Sequence, residues 1–318
     1  DLIDEEESVI TLTHFGYIKR LPADTYKSQR RGGKGITGLS TREEDFVETL
    51  FITSTHHYIM FFTNMGRVYR LKAYQIPEAG RQAKGTAIVN LLELEGEEKI
   101  TAVIPIAEYK EGLYLFMATK QGHVKKTDLM QYGNIRRSGL AAVTLRENDE
   151  LIDVRLTDGN RDIILVTGNG MSIRFNEVDV RPLGRVSQGV IGINLQEDDY
   201  VIGMATSRPD ATLLVVTENG FGKRTELDEY KTQTRAGKGI LTYRVTEKTG
   251  KVVGVKLVEE TDDIMLISFD GTIIRMEVAG ISILGRATQG VTLMRTSEDN
   301  HVVSIARIEP EEDEEEVE

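Results

Sequence analysis

Residues 58–71 read YIMFFTNMGRVYRL. Tyr58 to Thr63 form an unbroken run of β-forming residues, Asn64 to Gly66 turn the chain, and Val68 to Leu71 run back. A short continuous apolar run suits a strand buried on both faces better than an amphipathic helix. The same layout stands around Asn169 and Gly170, Asn219 and Gly220, and Asp270 and Gly271. Asn-Gly and Asp-Gly pairs between apolar runs are the strongest short-range sign of a hairpin, because both turn residues must take positive φ.

Working outward, the pattern occurs six times. The turn glycines are Gly16, Gly66, Gly122, Gly170, Gly220 and Gly271, at spacings of 50, 56, 48, 50 and 51 residues. Three residues before them stand Thr13, Thr63, Thr119, Thr167, Thr217 and Ser268, whose hydroxyls are expected to cap the turn. Four residues after them stand Arg20, Arg70, Lys126, Arg174, Arg224 and Arg275, and fifteen after them Arg31, Arg81, Arg137, Arg185, Arg235 and Arg286. A period near 50 is that of all-β arrays with one small sheet per repeat. Within the second repeat, a third strand is expected over Gly85 to Leu92, then an acidic turn (Glu93 to Glu98), then a fourth strand from Ile100 to Ile106. Each unit therefore reads as four short antiparallel strands. Six units close most naturally into a ring, since closure removes open sheet edges.

The repeat body is expected over residues 9–308, with blades at 9–56, 57–108, 112–158, 161–207, 211–258 and 262–308. Residues 1–8 read as an acidic linker and residues 309–318 as an acidic disordered tail. The net charge of −12 argues at first against a nucleic-acid partner, but the two ends hold 13 of the 51 acidic residues. The body keeps 38 acids against 39 bases, so it is near neutral, and a run such as Glu311 to Glu316 repels itself and cannot pack. Bases gather after the first hairpin and acids in the turns before the fourth strand, which polarises each unit. The chain has no Cys, which excludes a disulfide framework or thiolate metal site. It has no apolar stretch of the ~18 residues needed to span a bilayer, so a cytoplasmic, membrane-free protein is expected. The five His show no ligand spacing, and no Walker loop, nucleophile elbow or His-Glu zinc motif occurs.

The loop after the first hairpin is richest in the first repeat: Gln29, Arg30, Arg31, Gly32, Gly33, Lys34 and Gly35 (QRRGGKG). The other repeats keep its skeleton, as Arg81 to Gly85 (RQAKG), Arg185 to Gly189 (RVSQG), Arg235 to Gly239 (RAGKG) and Arg286 to Gly290 (RATQG). The third is two residues shorter, with Arg136, Arg137 and Gly139. Glycines let the backbone approach another surface closely, and Arg and Lys supply donors for phosphate oxygens, a combination that positions a nucleic-acid backbone without reading bases. The candidate DNA-binding set is the heptad with Lys19, Arg20, Arg67, Arg70, Arg81, Lys84, Lys125, Lys126, Arg136, Arg137, Arg174, Arg185, Lys223, Arg224, Arg235, Lys238, Arg275 and Arg286. At the +4 position, six bases and no acid favour phosphate binding over a merely polar outward site. The +15 arginine has two open readings, a phosphate contact or a tie between one blade's loop and the next.

The heptad, placed in the first of six β repeats that end in an acidic tail, resembles the A-box and C-terminal domain of the bacterial DNA gyrase A protein, and the resemblance covers essentially the whole chain. It implies a six-bladed β-pinwheel, a propeller-like all-β disc whose blades exchange strands and whose rim binds and bends double-stranded DNA into the wrap behind negative supercoiling. It implies as partners the rest of the gyrase A protein together with the gyrase B protein in an A2B2 complex, at the nucleoid. The catalytic tyrosine, the metal-binding acids and the ATPase of that enzyme match nothing in this chain, so no cofactor is expected here, with ATP and Mg2+ used elsewhere in the holoenzyme. The related topoisomerase IV protein typically has a degenerate box, so the intact heptad favours gyrase. A protein-interaction scaffold is the competing class, with the cations merely solvated.

Overall fold

The computed structural model describes residues 2–23, the backbone of 41–42, and 45–308. The heptad Gln29 to Gly35, with Arg31, and the tail 309–318 lie outside the described residues.

Six small sheets are arranged as blades. In the second blade Tyr58–Thr63 pairs with Arg67–Lys72 on one side and Ile100–Ile106 on the other, all antiparallel. The turn threonine acts as expected: Thr167 Oγ1 accepts from Met171 N at 3.1 Å, with equivalent bonds at Thr13 and Thr119. Along Tyr58–Thr63 every residue after Tyr58 is buried. Successive side chains point to opposite faces of a strand. Ile59 and Phe61 join the core shared with the first blade, while Met60 and Phe62 join the core shared with the third. Ile163 and Leu165 are likewise divided from Ile164 and Val166. Each strand is thus sandwiched between two neighbouring blades, which is why its sequence is continuously apolar.

The expectation that each repeat supplies all four strands of its own sheet is corrected. The third strand is only two residues long and leaves its repeat: Thr86–Ala87 pairs with Tyr17–Pro22 of the blade before. Leu140–Ala141 pairs with Arg67–Lys72, Val190–Ile191 with His123–Asp128, and Val291–Thr292 with Phe221–Glu226. In the fourth blade both Ile240–Leu241 and, in parallel, Thr232–Gln233 pair with Met171–Asn176. Ile100–Ile106 and its equivalents form the inner layer, each beside the next, and Val302–Ile308 beside Val47–Ser54. Thr41–Arg42 of the first repeat pairs with Thr272–Glu277 of the last, so the ring closes. Among the described residues, helix is almost confined to six short 3-10 turns, five that follow second strands and one, Ile88–Asn90, that follows Thr86–Ala87.

The turn glycine serves this exchange. At Gly220 φ is +82°, and an added Cβ would run into the Met294 carbonyl. Leu293 N and Met294 N both donate to Gly220 O, so the last repeat's incoming strand rests directly on the fifth blade's hairpin tip.

Candidate nucleic-acid interface

The hairpin carries its +4 cation outward along the second strand, over the next repeat's 3-10 turn. Arg20 Nε donates to Ile76 O at 3.0 Å, Arg70 Nη1 to Gly133 O at 3.0 Å, and Lys126 Nζ to Glu177 O at 3.0 Å. Arg174 Nη1 donates to Leu227 O at 2.9 Å and Arg224 Nε to Ile281 O at 2.9 Å. In five consecutive repeats, therefore, this side chain donates to a carbonyl of the following repeat's turn. Arg275 is paired with Asp263 at 2.6 Å.

The expected phosphate ladder at +4 is corrected accordingly. Lys126 and Arg224 are buried, Arg174 is bonded through all three guanidinium nitrogens, and Arg20 and Arg70 each give one of theirs to the following repeat. Three further candidates, Lys19, Lys125 and Lys223, also turn inward. Lys223 Nζ donates to Gly285 O at 2.8 Å, Arg286 O at 2.6 Å and Thr288 O at 3.0 Å, and Lys19 Nζ grips Gly80 O, Arg81 O and Ala83 O in the same way. Lys125 Nζ donates to Ala142 O at 2.7 Å and to Arg185 O. Lys125 is 1 % exposed and Lys223 0 %. Burial, with Arg185 nearby, pushes Lys125 down to about 7. Burial, outweighing the Glu229 carboxylate, lowers Lys223 to about 8.

The +15 arginines mostly tie the exchanged strands. Arg185 Nη1 donates to Ala141 O, Arg235 Nη1 to Ile191 O at 3.0 Å, and Arg286 Nη1 to Leu241 O; each acceptor belongs to the short strand the previous repeat has given away. For Arg185, Arg235 and Arg286 these bonds fit the tie of the two open readings. Arg81 is half-buried. Arg137 departs from the pattern. Its loop is two residues shorter, its side chain is 89 % exposed, and it meets only the exposed Glu93 carboxylate at 3.7 Å, a pair of little strength.

Four of the expected cations face solvent freely at the loops: Lys84, Arg136, Arg137 and Lys238. Lys84 lies over the Tyr17 ring at 4.1 Å. Arg136 also lines a rim pocket of about 510 Å³ with Arg67, Arg70, Asn134, Ile135, Ser138 and Gly139, and no carboxylate lines it. Arg67 Nη2 donates to Ser138 O at 2.7 Å, while its buried Nε has no partner. Such a basic hollow suits a phosphodiester oxygen.

Sequence reasoning missed exposed cations beside the loops: Arg181, Lys231, Arg244 and Arg295. Their signal is a partial periodicity. Arg181 and Lys231 each follow their turn glycine by eleven residues, and Arg244 and Arg295 by twenty-four. The acids stand at the hairpin tips, where Asn64 N donates to Lys99 O and Lys120 N to Glu150 O, which secures the acidic turns there.

The family model for the DNA gyrase C-terminal domain, a beta-propeller, matches residues 7–54, 57–107, 113–158, 161–208, 211–259 and 262–309. The DNA gyrase A protein of Clostridium acetobutylicum is 62% identical over 314 residues, 99% of this chain and 38% of that protein. The DNA gyrase A protein of Escherichia coli is 46% identical over 317 residues, 100% of this chain and 36% of that protein. The chain thus spans little more than a third of these relatives. Among solved structures, the C-terminal domain of DNA topoisomerase IV superposes with a TM-score of 0.85 at 27% identity, covering 97% of this chain and 95% of that one. The DNA gyrase A C-terminal domain superposes with a TM-score of 0.72 at 26% identity, covering 95% and 100%.

Proposed function

The chain belongs to the DNA gyrase C-terminal domain family, and from that premise we propose that it binds duplex DNA without sequence preference and bends it around the disc's rim. It supplies the chiral wrap through which gyrase introduces negative supercoils. The observation that carries this reading is the set of solvent-facing cations on the rim loops, Lys84, Arg136, Arg137 and Lys238, with Arg136 beside a hollow that no carboxylate lines.

The chain's part is electrostatic and mechanical. Bending 20–30 base pairs by up to 90° costs roughly 1–6 kcal/mol, which several distributed phosphate contacts offset. A ring closed by strand exchange holds those contacts at fixed separations while the duplex is strained against them. In this reading Gln29, Arg30, Arg31, Gly32, Gly33, Lys34 and Gly35 form the principal contact, with bare backbone N–H groups beside fork-shaped cations. DNA cleavage, ATP and Mg2+ belong to other parts of an A2B2 enzyme, made with the remainder of the gyrase A protein and with the gyrase B protein, in the bacterial cytoplasm at the nucleoid. The 62% identity to a gyrase A protein favours gyrase over topoisomerase IV, whose domain shares the fold at 27% identity.

A salt titration of duplex binding tests the reading. The logarithm of the binding constant should fall linearly with the logarithm of salt concentration, by about 0.9 per phosphate neutralised, and equally for unrelated sequences. A flat line would overturn DNA binding in favour of a protein-interaction scaffold.

A further inference from the structure

Three residues past the turn glycine the described blades alternate. Blades 1, 3 and 5 carry Lys19, Lys125 and Lys223, whereas blades 2 and 4 carry Tyr69 and Ile173 at the same place. This position lies beneath the loop of the following repeat, so the loops of repeats 2, 4 and 6 rest on a lysine. Their backbone carbonyls turn inward onto it: three from repeat 2, three from repeat 6, and Arg185 O from repeat 4. No lysine lies beneath the loops of repeats 3 and 5: the first meets the Tyr69 ring and the Arg67 guanidinium, which donates to Ser138 O at 2.7 Å, and the second rests on apolar surface. Gly139 sits against the Tyr69 ring, and Gly237 and Gly239 sit against the Ile173 side chain.

The two kinds of loop differ in outward charge. A loop pinned on an interior ammonium has its arginine beside a like charge, and Arg81, Arg185 and Arg286 each act on the lysine below. Adding more cations there meets repulsion at short range in a medium less polar than water. Repeat 5 has no such lysine beneath it, and repeat 3 has the Arg67 guanidinium beside its floor instead. The loops of repeats 3 and 5 expose Arg136, Arg137, Lys231 and Lys238, two cations each. At or beside their loops, the three lysine-pinned repeats expose Lys84, which lies on Tyr17, Arg181 and Arg295, one each.

We propose that the disc grips duplex DNA at alternate loops: among the described repeats, those of repeats 3 and 5 are phosphate stations, and those of repeats 2, 4 and 6 are lysine-pinned struts that hold the stations apart. The proposal rests on the DNA-binding reading above. Its physical content is that the wrap is carried by few, widely separated contacts rather than by one per blade. The buried lysines contribute by fixing the ring, without touching phosphate.

The test compares three double variants of this chain in salt titrations on one duplex. R136Q/R137Q and K231Q/K238Q remove the charge of a station, and K84Q/R181Q removes as many charges from struts. Each station pair should lower the slope of log K against log salt by about 1.8, two phosphates' worth, and the strut pair by less than about 0.5. R136K/R137K should restore the parent slope, which a merely structural role for these arginines would not do. A strut pair that lowers the slope as much as a station pair overturns the alternation. Should the unaltered chain itself give a flat line, DNA binding falls and the stations with it; a steep parent with equal pairs removes the alternation alone.

Discussion

The cations along the second strands and those on the rim loops are the same residue types with opposite uses. Arg20, Arg70, Lys126, Arg174 and Arg224 recur without exception and are spent on the next repeat's carbonyls. Arg136, Lys231 and Lys238 recur irregularly and face solvent, and Arg137, though it holds the repeated place fifteen residues after its turn glycine, faces solvent with them. What every blade junction needs must appear in every repeat. A long flexible polymer imposes no such demand, because it can be held at a few points. Strict repetition along the second strands therefore marks the joinery, while on the loops a cation is left for the partner where the tie to the neighbouring strand is missing, as at Arg137.

The sharpest way to break that comparison is at a junction. Gly220→Ala places a methyl against the Met294 carbonyl in a left-handed backbone, which should cost roughly 3 kcal/mol or more. Gly271→Ala has the same sign of φ, +87°, but no atom within 4 Å of the added methyl among the described residues, and should cost only about 1 kcal/mol. Urea unfolding of the two variants measures the difference; equal losses would mean that strand docking on the hairpin tip contributes little.

Next in size is a clamp. Arg224→Ala orphans the Ile281 carbonyl and removes the 2.8 Å bond to Glu260, and should lower stability by roughly 2 kcal/mol. The salt slope of DNA binding, measured on the folded fraction, should not change. A lowered slope would place Arg224 among the DNA contacts after all.

The struts can be read through pH. Lys125 titrates near 7 in the fold against about 10.5 when unfolded, and Lys223 near 8. Between those values the unfolded chain binds more protons than the folded one, so stability should rise with pH from about 7 toward 10. Above that, Tyr132, Tyr230 and Tyr243, held neutral by burial, reverse the trend as they ionise in the unfolded chain. K125M/K223M should flatten the rise, as seen in denaturation midpoints taken at successive pH values; an undiminished rise would assign it to other groups.

The smallest effect is expected on the loop side. Arg137→Gln should leave stability within about 0.5 kcal/mol while lowering the salt slope by about 0.9. Calorimetry together with a salt titration checks both; a clear loss of stability would make Arg137 a tie like Arg185.

Much of this architecture is legible in the sequence. Six turn glycines with their threonines announce six hairpins, and the double-sided apolarity of YIMFFT announces a strand between two blades. Strand exchange is not legible from periodicity, since a two-residue strand such as Thr86–Ala87 carries too little pattern to say which hairpin it joins; the family resemblance supplied it. Nor does composition show direction. Lys125 and Lys126 are adjacent in a strand, yet both are buried, each reaching a different carbonyl of the following repeat. A base on a second strand reads as an outward cation until the neighbouring repeat is placed against it. Arg181, Lys231, Arg244 and Arg295 escaped notice for the converse reason, as their spacing holds in only some repeats.

The account's central claim is that a closed ring, held together by its repeated cations, bends duplex DNA with one hand around its rim. Sealing nicked plasmid with ligase in the presence of increasing amounts of this chain, then stripping the protein and resolving topoisomers, tests it directly. The account predicts a dose-dependent positive shift in linking number, lost when Gln29 to Gly35 are replaced by alanine although the DNA is still retarded. Retarded DNA with no shift at any dose of the unaltered chain would contradict it.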